Sequence, residues 1–255
     1  MQPAWNSRLH PVAVTLAVLA LFLVASFVSA NDRSRKQAPM DPALKEVLDR
    51  FDKVQNSIST LSAEFTWTTD STLLKNPMVS EGNFYLTKPR AIRWDFTSPE
   101  PMEFVIAHDE YIGYFPKRKK AERRNFKRWS ERVFRYFGLG QGSEELSKVY
   151  TIRLGDAGEM ADKADLLVLV PKKNRARKKI QDLRIWVGKD SSLPVKVVST
   201  DPSGGRRIIE FRNTLVNPVL ASSLYEVRLP ADVTVTDSFS GLGGSDAGGG
   251  SRPSE

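Results

Sequence analysis

The chain of 255 residues contains no cysteine. That excludes disulfides, thiol catalysis, thiolate metal sites and a lipid anchor carried on cysteine. Histidine is nearly absent: His10 and His108 are the two in the sequence. His10 falls in an N-terminal leader, and His108 alone in a turn cannot build a multi-histidine metal site. There is no G-x-S-x-G elbow, no P-loop and no dinucleotide fingerprint. Glu100 with Glu103, and Asp109 with Glu110, come nearest to a paired-carboxylate site. Carboxylates in turns are ordinary surface features, so neither pair is taken as catalytic. These absences point away from an enzyme, and no metal or cofactor is expected.

Long apolar runs are also scarce. The one present, Val12 to Val28, follows Arg8 and His10 and ends at Val28-Ser29-Ala30. A basic start, a short apolar core and small residues at the end describe a secretory signal peptide, cleaved after Ala30. The run is at the low end for a membrane span, which disfavours the alternative of an uncleaved anchor. Export to the periplasm is therefore expected. Residues 31–40 read as a flexible lead-in, 41–236 as one folded domain, and 237–255 as a disordered Gly/Ser-rich tail.

Charge is what the chain has in surplus. Lys and Arg number 38 against 30 Asp and Glu, a net +8. Arg8 is the leader's only charged side chain, so +7 remains after cleavage (8 minus 1). A basic exported protein can meet anionic headgroups, acidic proteins or polysaccharide, and nucleic acid is not expected. Two segments concentrate the charge, 117–135 and 172–179. The second reads as a solvated loop, or alternatively as a docking surface for acidic groups.

Periodicity places the elements. Asp41-Pro42 is a helix start, an N-cap followed by proline at the first helical position. Leu44, Val47, Leu48 and Phe51 follow at helical spacing, with Val54 and Ile58 extending the stripe. Alternation then marks strands. Ala63, Phe65 and Trp67 share a face of the strand Leu61–Asp70. Phe84 and Leu86 share one in the next, and Ile92, Trp94 and Phe96 in its successor, across a Lys88-Pro89-Arg90 corner. Strands at Met102–Ala107, carrying Phe104 and Ile106, and at Tyr111–Phe115 flank a turn at His108-Asp109-Glu110. A basic helix bearing Phe126, Trp129, Val133, Phe134 and Phe137 is expected next, covering the sheet or touching membrane. Ser143-Glu144-Glu145-Leu146 begins a short helix. Strands resume at Tyr150–Leu154, Asp165–Val170, Ile180–Val187, Val195–Ser199, Arg207–Thr214 and Tyr225–Leu229. Short turns between successive strands favour an antiparallel meander.

The segment G-x-F-x-L-x-K-P-R-x-x-R-W-x-F-x-x-P, Gly82 to Pro99, resembles the central pattern of the LolA family of periplasmic lipoprotein carriers. Leu229-Pro230-Ala231-Asp232-Val233 is similar to that family's closing strand. The resemblance implies an incomplete antiparallel β-barrel with a helical lid over a hydrophobic cavity. Its acyl-chain-binding wall would be Phe65, Trp67, Phe84, Leu86, Ile92, Trp94, Phe96, Phe104 and Ile106. Its lid would carry Leu44, Val47, Leu48, Phe51, Phe126, Val133, Phe134 and Phe137. The family's basic residue before proline holds the lid through its backbone. Here that residue is Lys88, with Arg90 or Arg93 as further candidates. The implied partners are lipid-modified proteins, an ABC-type release complex in the inner membrane and an outer-membrane acceptor, met by a monomer. The alternatives are carriage of another envelope lipid or glycolipid, or a non-enzymatic sensor or scaffold domain that binds a partner protein.

Overall fold

The structure is a computed structural model and describes residues 40–71, 74–89, 91–125 and 142–237. Helix α1 (Pro42–Ser57) leads into β1 (Thr60–Asp70), β2 (Met78–Thr87), β3 (Ala91–Ser98), β4 (Met102–Ala107), β5 (Glu110–Phe115) and β6 (Lys120–Asn125). Then come α2 (Ser143–Val149), β7 (Tyr150–Gly155), β8 (Ala164–Pro171) and a one-turn helix, α3 (Asn174–Arg177). β9 (Asp182–Gly188), β10 (Pro194–Thr200), β11 (Arg206–Val216) and the short β12 (Thr234–Thr236) complete the chain.

All twelve strands join one open sheet in the order β12-β6-β5-β4-β3-β2-β1-β11-β10-β9-β8-β7. It falls into two meanders, β1–β6 and β7–β11, zipped together where β1 pairs antiparallel with β11, Leu61 opposite Val216 and Asp70 opposite Arg206. Among the described residues the ladder does not close: β7 and β12 are its edges. The expected incomplete barrel is thus an open sheet. It is antiparallel except at one edge, where β12 runs parallel to β6.

Alternation sets the two faces of the first meander. In β1 Leu61, Ala63, Phe65 and Trp67 are buried, while Glu64 between them is exposed. Register then stacks like with like. Phe84 lies opposite Trp94, and Trp94 opposite Phe104. Leu86 faces Ile92, and Ile92 faces Ile106. Phe65 lies opposite Gly82. A Cβ at Gly82 would stand 2.9 Å from the Phe65 ring and 1.9 Å from the Asp95 carbonyl oxygen. A glycine is therefore required where these strands approach.

Two expectations are corrected. Tyr225–Leu229 is not a strand. Ser222–Tyr225 forms a 3-10 turn, and the chain then runs on as an irregular strap. The strand near the Leu229–Val233 motif begins only at Thr234. Apolar alternation was misleading here, because Tyr225 is buried by the reverse face of the sheet and not by a ladder. The Lys172–Lys179 segment is not wholly loop, since α3 lies within it and buries Ala176. Arg90 and the segment carrying Phe126, Trp129, Val133, Phe134 and Phe137 lie outside the described residues.

Candidate functional site

The nine side chains expected to line one wall share one buried cluster on one face of β1–β4, each 8% exposed or less. Trp94 is its hub. Its ring centroid lies 4.5 Å from that of Phe84, 4.9 Å from Phe65 and 5.7 Å from Trp67. Phe96 stands edge to face with Phe65 at 5.0 Å and with Phe104 at 5.5 Å. Tilted and edge-on contacts are the arrangements ring quadrupoles favour. The result is a rigid apolar wall of aromatic plates.

The helix residues fall elsewhere. Leu44, Val47, Leu48 and Phe51 belong to a second cluster with Leu146 of α2 and the aliphatic strands β7–β9. Only the C-terminal end of α1 reaches the aromatic cluster: Ile58 is a member and Val54 packs against it. α1 therefore straddles both halves of the sheet.

Polar contacts fix that pose. Asp41 caps the helix start, its Oδ1 accepting from the Ala43 N–H at 3.0 Å. Arg50 pairs with Asp165 and donates to the Gly188 and Lys189 carbonyls at 3.3 Å, anchoring α1 to β8 and the end of β9. Asp52 accepts from the Ser143 N–H at 2.5 Å and the Ser143 hydroxyl at 2.6 Å, capping α2. Asn217 holds the α1–β1 joint, accepting from the Ser59 N–H at 2.7 Å and donating to the Ser57 carbonyl at 3.0 Å. Lys88, at the end of β2, donates from Nζ to the Gln55 carbonyl at 2.5 Å. The bond joins the end of β2 to the backbone of α1. Burial pushes the Lys88 amine below its ordinary 10.5.

Sequence reasoning found Lys88 but missed Arg50, Asp52 and Asn217. Each acts across more than ninety positions of sequence, and no local pattern announces such a contact. It also missed the reverse face. Arg93, a further candidate for holding the lid, is there and not on α1: it binds both Asp95 oxygens at 2.6 and 2.8 Å, Glu103 at 2.8 Å and the Leu224 carbonyl at 2.9 Å. Burial disfavours the Arg93 charge, but bonding and attraction from Asp95 and Glu103 outweigh this and raise its pKa. The Tyr225 hydroxyl lies 2.7 Å from that of Thr87. Burial raises the tyrosine pKa, and the Thr87 bond partly offsets it. A cleft of about 450 Å³ beside this strap is lined by Lys88, Pro89, His108 and Tyr225 among others.

Among the described residues no group of three or more His, Asp or Glu is placed to hold a metal. No helix there is long and apolar enough to cross a membrane.

An open, mainly antiparallel sheet with a buried aromatic cluster on one face, and a helix laid across the sheet that reaches this cluster only at its end, defines the class. The sequence matches the family model described as outer membrane lipoprotein carrier protein LolA over residues 56–228, so the chain belongs to the LolA family. No curated protein matches the sequence. Among solved structures, an uncharacterized conserved protein from Thermus thermophilus is similar at 16% identity and TM-score 0.49, covering 76% of this chain and 98% of that one. A LolA superfamily protein from Nitrosomonas europaea is 9% identical with TM-score 0.39, covering 72% and 97%. The lipoprotein LppX of Mycobacterium tuberculosis is 11% identical with TM-score 0.42, covering 71% and 99%.

Proposed function

We propose that this chain is a non-enzymatic periplasmic carrier. It shields the acyl chains of lipid-modified proteins on their way from the inner to the outer membrane. The observation that supports this most is the aromatic wall on β1–β4, in a chain whose family is shown, crossed at its margin by the C-terminal end of α1. Acyl chains would lie along that wall, with α1 as the lid.

The energetics suit transfer. Burying methylenes is worth about 0.8 kcal/mol each, so a 16-carbon chain gains on the order of 12 kcal/mol. A carrier must also let go, and the free energy of opening a cover subtracts from the binding. At the aromatic half the cover is held by Lys88–Gln55, by Asn217 at the α1–β1 joint and by the packing of Val54 and Ile58. The Asn217 bonds to Ser57 and Ser59 keep that end tethered to β1, so opening would pivot about the α1–β1 joint.

In-cell photo-crosslinking tests the reading. A photoreactive residue replaces Ile92, which is 1% exposed within the aromatic cluster. Adducts with many lipoproteins are expected. Lipid-only adducts would reassign the cargo to an envelope lipid or glycolipid. A single polypeptide partner without lipid would favour a scaffold, and no adduct from a folded variant would remove the carrier reading.

A further inference from the structure

The eight residues Lys172–Lys179, between β8 and β9, carry six cations and no carboxylate. Two are turned to structural use. Lys172 Nζ donates to the Ser147 carbonyl, and Arg177 Nε donates to the Pro171 carbonyl at 2.7 Å. These bonds fix the shape of the turn. Lys173, Arg175 and Lys178 are exposed and Lys179 half-buried. Among the described residues none of the six pairs with a carboxylate. Just over half of the described cations elsewhere do, among them Arg50 with Asp165, Lys196 with Glu210 and Arg206 with Asp70.

The neighbouring turn does not compensate. Gln181 donates to the Thr200 carbonyl at 2.8 Å, which sets the β10–β11 turn alongside. Its carboxylate, Asp201, is occupied by the Ser203 and Gly205 N–H groups at 2.8 and 3.0 Å. Asp182 is buried and accepts from Arg184 at 3.2 Å. Burial, and then repulsion from Arg175, lowers the pKa of Lys179. With six cations against the two nearby carboxylates Asp182 and Asp201, neither paired with any of the six, the turn holds a concentrated net positive field.

We propose that this turn docks the protein on an anionic phospholipid bilayer. An acidic protein surface is the poorer match, because protein interfaces draw their affinity from apolar and aromatic anchors set in pockets. Here the apolar side chains are turned inward: Pro171, Ala176 and Ile180 are all buried. What faces outward is lysine-rich, and lysine is a mobile point charge suited to a fluid headgroup layer. Docking at this end of the sheet leaves Lys88 and the C-terminal end of α1 free, since β2 ends at the opposite rim from β8. The inference goes beyond carriage and does not depend on it.

The test is vesicle flotation of the leaderless chain, residues 31–255, which keeps every described residue. Vesicles of phosphatidylcholine, with and without phosphatidylglycerol, are compared at low and high ionic strength. Binding is expected only with phosphatidylglycerol and is weakened by salt. The variant Lys173→Glu with Arg175→Glu and Lys178→Glu should partition about tenfold or more weaker. A charge-matched control, Lys53→Glu with Lys163→Glu and Arg228→Glu, should bind nearly as wild type; all three sites are exposed. Unchanged melting temperatures show that both variants fold. Equal loss in the control, equal binding to neutral vesicles, or no vesicle binding at all overturns the proposal. If vesicle binding is absent but patch-dependent retention on polyglutamate is found, the turn belongs to an acidic protein instead.

Discussion

The two halves of the sheet bury apolar surface in different ways. In the β1–β6 half, half of the cluster's members are aromatic, with rings set edge to face. In the β7–β10 half, the cluster is almost wholly Leu, Val and Ile, with only Phe51 and Tyr150 aromatic, and α1 and α2 lie on it. The aliphatic half is a conventional helix-on-sheet core, filled by the interlocking of branched side chains. The aromatic half is built from large, stiff rings that have little conformational freedom to lose on burial. The contrast divides the sheet: the aliphatic half fastens α1, and under the carrier reading proposed above the aromatic half would receive the acyl chains.

The largest effect should come from Phe51→Ala. Phe51 is fully buried where α1 meets the aliphatic half. Denaturant unfolding is expected to show a loss of about 5 kcal/mol, the upper end for such truncations. Phe96→Ala, in the aromatic half and 8% exposed, should cost about 3 kcal/mol while also weakening competition by fatty acid for an apolar dye. If both substitutions change stability alone and leave dye binding intact, that division fails. Asp52→Ala removes the α2 cap and should cost about 1 kcal/mol, with a matching drop in melting temperature.

Lys88→Met should have the smallest effect on stability, about 1 kcal/mol from one lost hydrogen bond, yet it should speed dye release measurably. Its pH signature carries a definite sign. Burial lowers the Lys88 pKa below 10.5. A lysine lowered in this way penalises the fold in full below its folded pKa, and the penalty fades as pH rises toward 10.5. Wild type should therefore gain on Lys88→Met across that alkaline window. A flat difference would show that Lys88 is not buried against α1 in solution.

Much of the architecture was legible because alternation is a local signal. Phe84 and Leu86, or Ile92, Trp94 and Phe96, reveal a buried face without knowledge of what buries it. That same locality explains the failures. The stripe Leu44, Val47, Leu48 and Phe51 shows that a helix is covered, but its partners on β7–β9 lie about a hundred residues on. The alternation at Tyr225–Leu229 looked like a strand, yet the chain there is pinned by Arg93 and Thr87 to the outer face of the sheet. Nothing in residues 225–229 distinguishes a strap from a ladder. Lys88 was singled out only through a family pattern; nothing local to it points to the Gln55 carbonyl that it meets.

The seam between β1 and β11 has a consequence for how the chain acquires its shape. β2 through β6 pair with sequence neighbours, as do β7 through β10. Each meander can therefore form from local contacts as its strands arrive. Joining them requires Leu61 to find Val216, a long and slow loop closure. For a chain delivered N-terminus first, α1 is made early, while the β8 and β9 surface it must cover comes far later. Its apolar stripe stands bare throughout that interval, the condition under which partly folded chains associate wrongly.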